Sequence, residues 1–352
     1  MQTCVVRVTG ALLGIVLAGA VVACSSGDDT SGGVDVAETT VPSASTVVTT
    51  AVPATTSDAD VATTSTTSSD ALPAVTSAPC PLPANGVHSL TSGGVARTYL
   101  TQAPTTPGVG PVPVVVLLHG FNGNAEEFSA ASGVATAAAA GGVLLVAPQG
   151  QGDPAGWEIP NWAADAQFVN DVLDEVGASG CAATDAVWVG GHSAGSAFAA
   201  YYGCSNTDRV AGVWLNAGLP PPLCTDRSPA VVISHGTADP VVPFGGGDQN
   251  ASDQTFVLKP VPDSALEWAQ MAGCQWVEGP VGQAEVGIMT WQGCSKGTYV
   301  RLYTIDGGGH SWPGAVSETG IGETTHALDA ACLLVESART GPANPADPAT
   351  CG

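Results

Sequence analysis

Basic residues are the scarcest resource of this chain, with 8 Lys+Arg against 31 Asp+Glu for a formal net charge of -23 in 352 residues. Such a surface repels phosphate backbones and anionic head groups, which argues against nucleic-acid binding and makes solubility the simplest reading of the acidity. Aromatic residues are also few, at 5%. No C-x-x-C or H-x-x-x-H spacing occurs, so a zinc site of ordinary ligand spacing is not expected. No apolar run reaches the roughly 20 residues that a membrane-spanning helix needs.

The longest such run, Ala11 to Val22, holds about a dozen apolar residues, follows the basic Arg7, and ends in Val21-Val22-Ala23-Cys24. This is the pattern of a bacterial secretory signal closed by a lipobox, so residues 1–23 are expected to be removed and Cys24 to carry lipid as the first mature residue. One acylated cysteine tethers a protein to a membrane without crossing it, which gives the expected location as the extracellular face of the cell membrane, anchored or secreted. Residues 24–79 are mostly Thr, Ser, Ala, Val, Pro and Asp, without an aromatic. A segment of that composition buries too little apolar surface to offset its ordering entropy, and it reads as a disordered stalk.

Setting aside Cys4 and Cys24 leaves eight cysteines, an even number that suggests disulfides in an exported chain. Near-neighbour pairing would join Cys274 to Cys294 and Cys204 to Cys224, one choice among many connectivities. Residues 80–352 are long enough for one sizeable domain. There, the continuously apolar runs VPVVVLLHG, GVLLVAPQG, AVWVGG, VAGVWLNAG, AVVISHGT and YVRLYTI alternate with helix-like stretches. Runs of this kind suit strands covered on both faces, and their alternation with helices predicts an α/β fold, a mostly parallel central sheet with helices on both faces.

G-x-S-x-G occurs twice, at Gly191-His192-Ser193-Ala194-Gly195 and at Gly293-Cys294-Ser295-Lys296-Gly297. In so glycine-rich a chain composition alone produces on the order of half a match, so the bare pattern proves little. Context separates the two. Ser193 stands between the strand-like Ala186–Gly190 and an apolar helix-like segment, as a nucleophile elbow requires, whereas Ser295 sits in a Gly-rich loop leading into another strand. A serine hydroxyl needs a base, and the base an orienting acid, in the chain order Ser, Asp, His, each following a strand end. Asp239 in SHGTADPVVP and His310 in IDGGGHSWPG meet both conditions, although Asp239 could be only a turn former and Asp306 is a competing acid. The expected oxyanion donors are the backbone N–H groups of Ala194 and of Phe121, the latter in LLHGFNGN. His192 fills the variable place of the elbow, His119 and His235 end strands, His88 lies near the domain edge, and His326 is placed on a C-terminal helix.

VVVLLHGFNGNAEEF, GHSAGS, HGTADPVVPF, the Gly-Cys steps at Cys274 and Cys294, and GGGHSWPG together resemble the polyhydroxybutyrate depolymerase and feruloyl (acetylxylan) esterase family of α/β-hydrolases, over about Val87 to Gly314. The resemblance implies Ser193 as nucleophile, Asp239 as acid, His310 as base, a Cys274–Cys294 disulfide, and Trp312 at the rim of the substrate pocket. It implies no cofactor and no metal. Around GWEIPNWAADAQ the family pattern is only loosely matched, and Trp157 and Trp162 there could stack on an aromatic acyl group or a sugar, or pack. Members that attack solid polymer often carry an added binding domain, and this chain ends soon after the hydrolase core. A small or oligomeric ester, cleaved by a monomer, is therefore the expected substrate, with feruloyl, acetyl and hydroxybutyrate groups all open. A serine peptidase on the same fold and a non-catalytic envelope-binding lipoprotein are the alternatives.

Overall fold

The computed structural model describes residues 80–351 except 107, 109, 159, 160, 219, 221, 223, 226, 227, 252, 253 and 284. The expected signal segment, the lipidation site Cys24 and the stalk lie outside the described residues.

In chain order the first elements are β1 (Gly86–Ser92), β2 (Val95–Gln102), β3 (Val112–Leu118), α1 (Ala125–Ala131), α2 (Val134–Gly141) and β4 (Leu144–Pro148). Next come α3 (Ala163–Gly177), β5 (Ala182–His192), α4 (Ala194–Ser205), β6 (Val210–Asn216) and β7 (Ala230–Gly236). The last are β8 (Gly247–Ala251), β9 (Gln254–Leu258), α5 (Val261–Met271), β10 (Trp276–Gln283), β11 (Val286–Gln292), β12 (Val300–Ile305) and α6 (Ala330–Thr340). Ten strands form one sheet in the order β1-β2-β4-β3-β5-β6-β7-β12-β11-β10. Its six central strands are mutually parallel and coincide with the six apolar runs, while β1, β2, β11 and β10 extend the two edges antiparallel.

Side-chain alternation along β3 explains why its run is apolar throughout. Val114, Val116 and Leu118 enter the core shared with α3, α4 and α5, through Phe168, Phe198 and Trp268. Val115 and Leu117 enter the opposite core, shared with α2 and α6 through Val134, Ala138 and Leu334. Each face is therefore dry, as a parallel sheet requires. Between α1 and α2 Gly133 adopts φ 80, so the helical stretch after Asn124 is broken into two. Asn124 caps α1 by accepting from the N–H groups of Glu126 and Glu127. His326 lies in a bend ahead of α6, not on a helix.

Four disulfides hold the periphery: Cys80–Cys181, Cys204–Cys224, Cys274–Cys294 and Cys332–Cys351. The first spans 101 residues and ties the segment before β1 to the start of β5. A buried ion pair, Arg97 to Asp165 at 2.8 Å, joins β2 to α3, and the other oxygen of Asp165 accepts from the Glu158 N–H. That carboxylate ties the backbone at Glu158 to β2.

Candidate active site

β5 ends at His192 and α4 begins at Ala194, so one residue, Ser193, makes the reversal. It adopts φ 56 and ψ -119, a region that non-glycine residues avoid unless their surroundings over-determine it. The surroundings do so by close approach of backbones. A methyl group on Gly191 would lie 2.2 Å from the Gly195 carbonyl oxygen, and one on Gly195 would lie 2.4 Å from the carbonyl oxygens of both Leu118 and His119. Strand β5 thereby presses its elbow against the end of β3. Ser295, by contrast, sits in a single 3-10 turn, Ser295–Gly297, between the antiparallel β11 and β12.

Asp239 follows β7 and is buried. Its Oδ1 accepts from the N–H groups of Val241 and Val242, both at 2.8 Å, so the turn-forming role is real, and it leaves Oδ2 free to face inward. Oδ2 lies 2.8 Å from His310 Nδ1 and 3.3 Å from His235 Nε2. Burial pushes this carboxyl up, but the hydrogen bonds from His235, His310 and the Val242 N–H outweigh it and hold the group well below the usual carboxylate range. Asp306, the competing acid, instead accepts from the Thr237 hydroxyl at the surface.

His310 follows β12 through Gly307, Gly308 and Gly309. A methyl group on Gly236 would lie 2.1 Å from the Gly308 carbonyl oxygen, so the small residues let the acid loop and the histidine loop touch. The His310 backbone is clamped by an antiparallel bridge to Ile321, with N–H···O distances of 2.7 and 2.9 Å. With Nδ1 committed to Asp239, Nε2 is the ring nitrogen left for the cavity that Ser193 also lines.

That cavity has a volume of about 450 Å³. It is lined by α1 and its cap, through Asn124, Glu127, Phe128 and Ala131, and by Glu318 to Ile321. The loop Gly120–Phe121–Asn122 closes one end. A methyl group on Gly120 would lie 3.3 Å from Ser193 Cβ, which places this loop directly over the elbow. The Asn122 N–H is taken by the Ala155 carbonyl and the Gly123 N–H by the Gly120 carbonyl. Among the described residues no backbone hydrogen bond takes up the N–H of Phe121 or of Ala194. His119 pins the loop from below: Nδ1 lies 2.7 Å from the Gly120 carbonyl oxygen and Nε2 accepts from the Gly150 N–H. Burial lowers the pKa of that ring, which keeps it neutral for this role.

The three tryptophans expected around the substrate pocket line no part of this cavity. Trp312 is fully buried in the core beneath it, beside Trp214 and Phe128, because the chain bends at Ser311 and turns the indole inward. Trp157 is drawn under His119 by the Gln151–Gly156 bridge; its Nε1 donates to the His119 carbonyl and its ring stacks on Phe198. Trp162 packs on Tyr201 at 5.1 Å. The aromatic surfaces available to a ligand are Phe121, which is exposed at the mouth, and Phe128. Phe128 and the α1 wall escaped sequence reasoning, although the spacing 124, 127, 128, 131 is one face of a helix.

Comparison with known proteins agrees with this geometry. The alpha/beta hydrolase family model matches residues 115–319, more than half of the chain. The putative esterase NocK of Nocardia uniformis subsp. tsuyamanensis is 30% identical over 251 residues, 63% of this chain and 72% of that protein. Feruloyl esterase B of Piromyces equi is 27% identical over 214 residues, 56% of this chain and 39% of that protein. An acetyl xylan esterase from Aspergillus awamori shares the fold with a TM-score of 0.50 at 14% identity, over 64% of this chain and 94% of its own. The chain belongs to the alpha/beta hydrolase family, as an esterase-type member of it.

Proposed function

We propose that this protein is a serine esterase that cleaves small neutral carboxylic esters through an acyl-enzyme. His310 Nε2 takes the Ser193 hydroxyl proton as Oγ attacks the ester carbonyl, and Asp239 holds the ring in the required tautomer and stabilises the imidazolium that forms. The N–H groups of Phe121 and Ala194 receive the tetrahedral oxyanion; one such donor is worth roughly 10²–10³ in rate. His310 returns its proton to the leaving alkoxide, and water then releases the acid by the same steps in reverse. No step calls for a cofactor or metal.

The observation that carries this reading is the 2.8 Å contact between His310 Nδ1 and Asp239 Oδ2 behind a cavity that also admits a backbone-strained Ser193. The acyl group is read from the walls. Glu127 and Glu318 both line the cavity, and no Lys or Arg does. This favours neutral acetyl or feruloyl esters over hydroxyalkanoate oligomers, which end in a carboxylate. Phe121 at the mouth offers a face for an aromatic acyl group.

The protein is further proposed to act as a monomer, exported and held at the outer face of the membrane by lipid on Cys24. No helix among the described residues is long and apolar enough to cross a membrane, and disulfides suit an oxidising compartment. The deciding experiment measures kcat/KM on methyl ferulate, acetylated xylan oligomers, hydroxybutyrate oligomers and p-nitrophenyl esters for the wild type and Ser193→Ala. Turnover that survives in Ser193→Ala rejects the nucleophile, and a hydroxybutyrate preference rejects the acyl assignment. Cys24→Ser is expected to release the protein from the membrane fraction.

A further inference from the structure

Asn216, the last residue of β6, is 1% exposed in a strand otherwise built from Val, Ala, Gly, Trp and Leu. A buried amide in such a place is costly unless its groups are paired. All of them are. The Nδ2 group lies 2.9 Å from the Ser311 carbonyl oxygen and 2.8 Å from His192 Nδ1, and Oδ1 accepts from the Ser234 hydroxyl, which in turn accepts from Trp214 Nε1. A carbonyl oxygen only accepts, so the nitrogen must face Ser311 and the orientation of the amide is determined. Its second N–H then goes to His192 Nδ1, which accepts with its lone pair and leaves the ring hydrogen on Nε2. The main chain of the same residue receives the Ser193 N–H at 2.9 Å.

One side chain therefore touches the residue before the nucleophile and the residue after the base, and its oxygen is held by Ser234 on the strand that ends at the acid loop. We propose that Asn216 is a positioning residue, whose two amide N–H groups set the distance and angle between the elbow at Ser193 and the loop that carries His310. The inference rests on the esterase reading for its kinetic consequence, but the geometry does not. With His192 held neutral, the ring 4.9 Å from His310 adds no second cation beside the base.

A displaced His310 harms most the step in which it must protonate a poor leaving group. An alkyl ester requires that proton, whereas p-nitrophenolate departs without it. Asn216→Leu is expected to lower kcat/KM for a methyl ester by about 10²-fold, the scale of a small misplacement, with a loss about tenfold smaller for the p-nitrophenyl ester of the same acid. Ser234→Ala, which removes only the bond that orients the amide, is expected to act in the same direction more weakly and to add nothing on the Asn216→Leu background. Equal losses on both esters, no loss, or additive effects would overturn the proposal. A readout free of turnover is the downfield proton resonance of His310 Nδ1–H, assigned by its absence in His310→Gln. Displacement or broadening of that signal in Asn216→Leu supports the proposal, and an unchanged signal overturns it. If the wild type cleaves neither ester, the esterase reading fails alone and the resonance still decides the role of Asn216.

Discussion

His310 Nδ1 and Asp239 Oδ2 lie 2.8 Å apart although 71 residues separate them, because the neighbouring parallel strands β7 and β12 deliver both loops to the same end of the sheet. An aspartate there can only accept, which compels the Nδ1–H tautomer and leaves the Nε2 lone pair for the proposed base. Asp239→Asn permits the opposite tautomer and is expected to lower kcat by on the order of 10⁴-fold with the fold retained. Steady-state kinetics beside circular dichroism checks this; full activity in the variant would remove Asp239 from the triad. Since folding holds this carboxyl below its ordinary 3.8, its contribution to stability is complete above that pH and is lost as the pH falls further.

His192 adds a second loss of stability on acidification, over a higher pH window. Burial first, and then the charge of His310, pushes the ring from 6.5 down to about 3, with Asp239 acting against the shift. Between those values the unfolded chain carries a proton on this residue and the folded chain does not, so stability falls as pH is lowered through the window. Urea midpoints at pH 7 and pH 4 are expected to differ less in His192→Gln than in the wild type. Identical differences would show that another group is responsible.

The two G-x-S-x-G sequences should respond differently to the same change. Gly195→Ala drives a methyl group into two carbonyl oxygens and is expected to cost about 3 kcal/mol or more, or to prevent folding. Gly297→Ala meets open space and only an unfavourable φ of 72, for a cost of about 1 kcal/mol. Ser295→Ala is expected to leave kcat/KM unchanged. Thermal unfolding of the two glycine variants, with ester hydrolysis by Ser295→Ala, measures all three, and loss of activity in the last would reopen the choice of nucleophile.

Substrate charge gives a further prediction. Glu127 and Glu318 are exposed residues of the cavity lining, so their effect is screened by salt and modest in size. The p-nitrophenyl ester of succinic acid, an anion, is expected to show kcat/KM about tenfold below that of its neutral methyl half-ester at low ionic strength. The gap should narrow in Glu127→Gln/Glu318→Gln and with added salt. A gap indifferent to both changes would mean that shape, not charge, selects the acyl group.

Much of this arrangement was legible in the chain because it rests on local constraints. The six apolar runs mark the parallel strands, since a strand covered on both faces has no polar alternation to preserve. The elbow at Ser193 and the loops at Asp239 and His310 each carry small residues where backbones approach closely. The antiparallel edges β1, β2, β10 and β11 were not visible, because an edge strand keeps one face wet and its mixed pattern resembles a loop. Trp157, Trp162 and Trp312 invite a place around the substrate, and their large apolar rings go instead to the core, where burial gains most.

By itself the sequence determined the order Ser193, Asp239, His310 after strand ends, and the α/β class, since strand periodicity and glycine spacing are properties of neighbours in the chain. Only the tertiary structure decided what surrounds the nucleophile. The cavity is walled by α1 and by residues 318–321, which lie far apart in sequence, and the amide of Asn216 meets Ser311 across 95 residues. Contacts at that separation depend on how helices and loops pack over the sheet, and no local pattern encodes them.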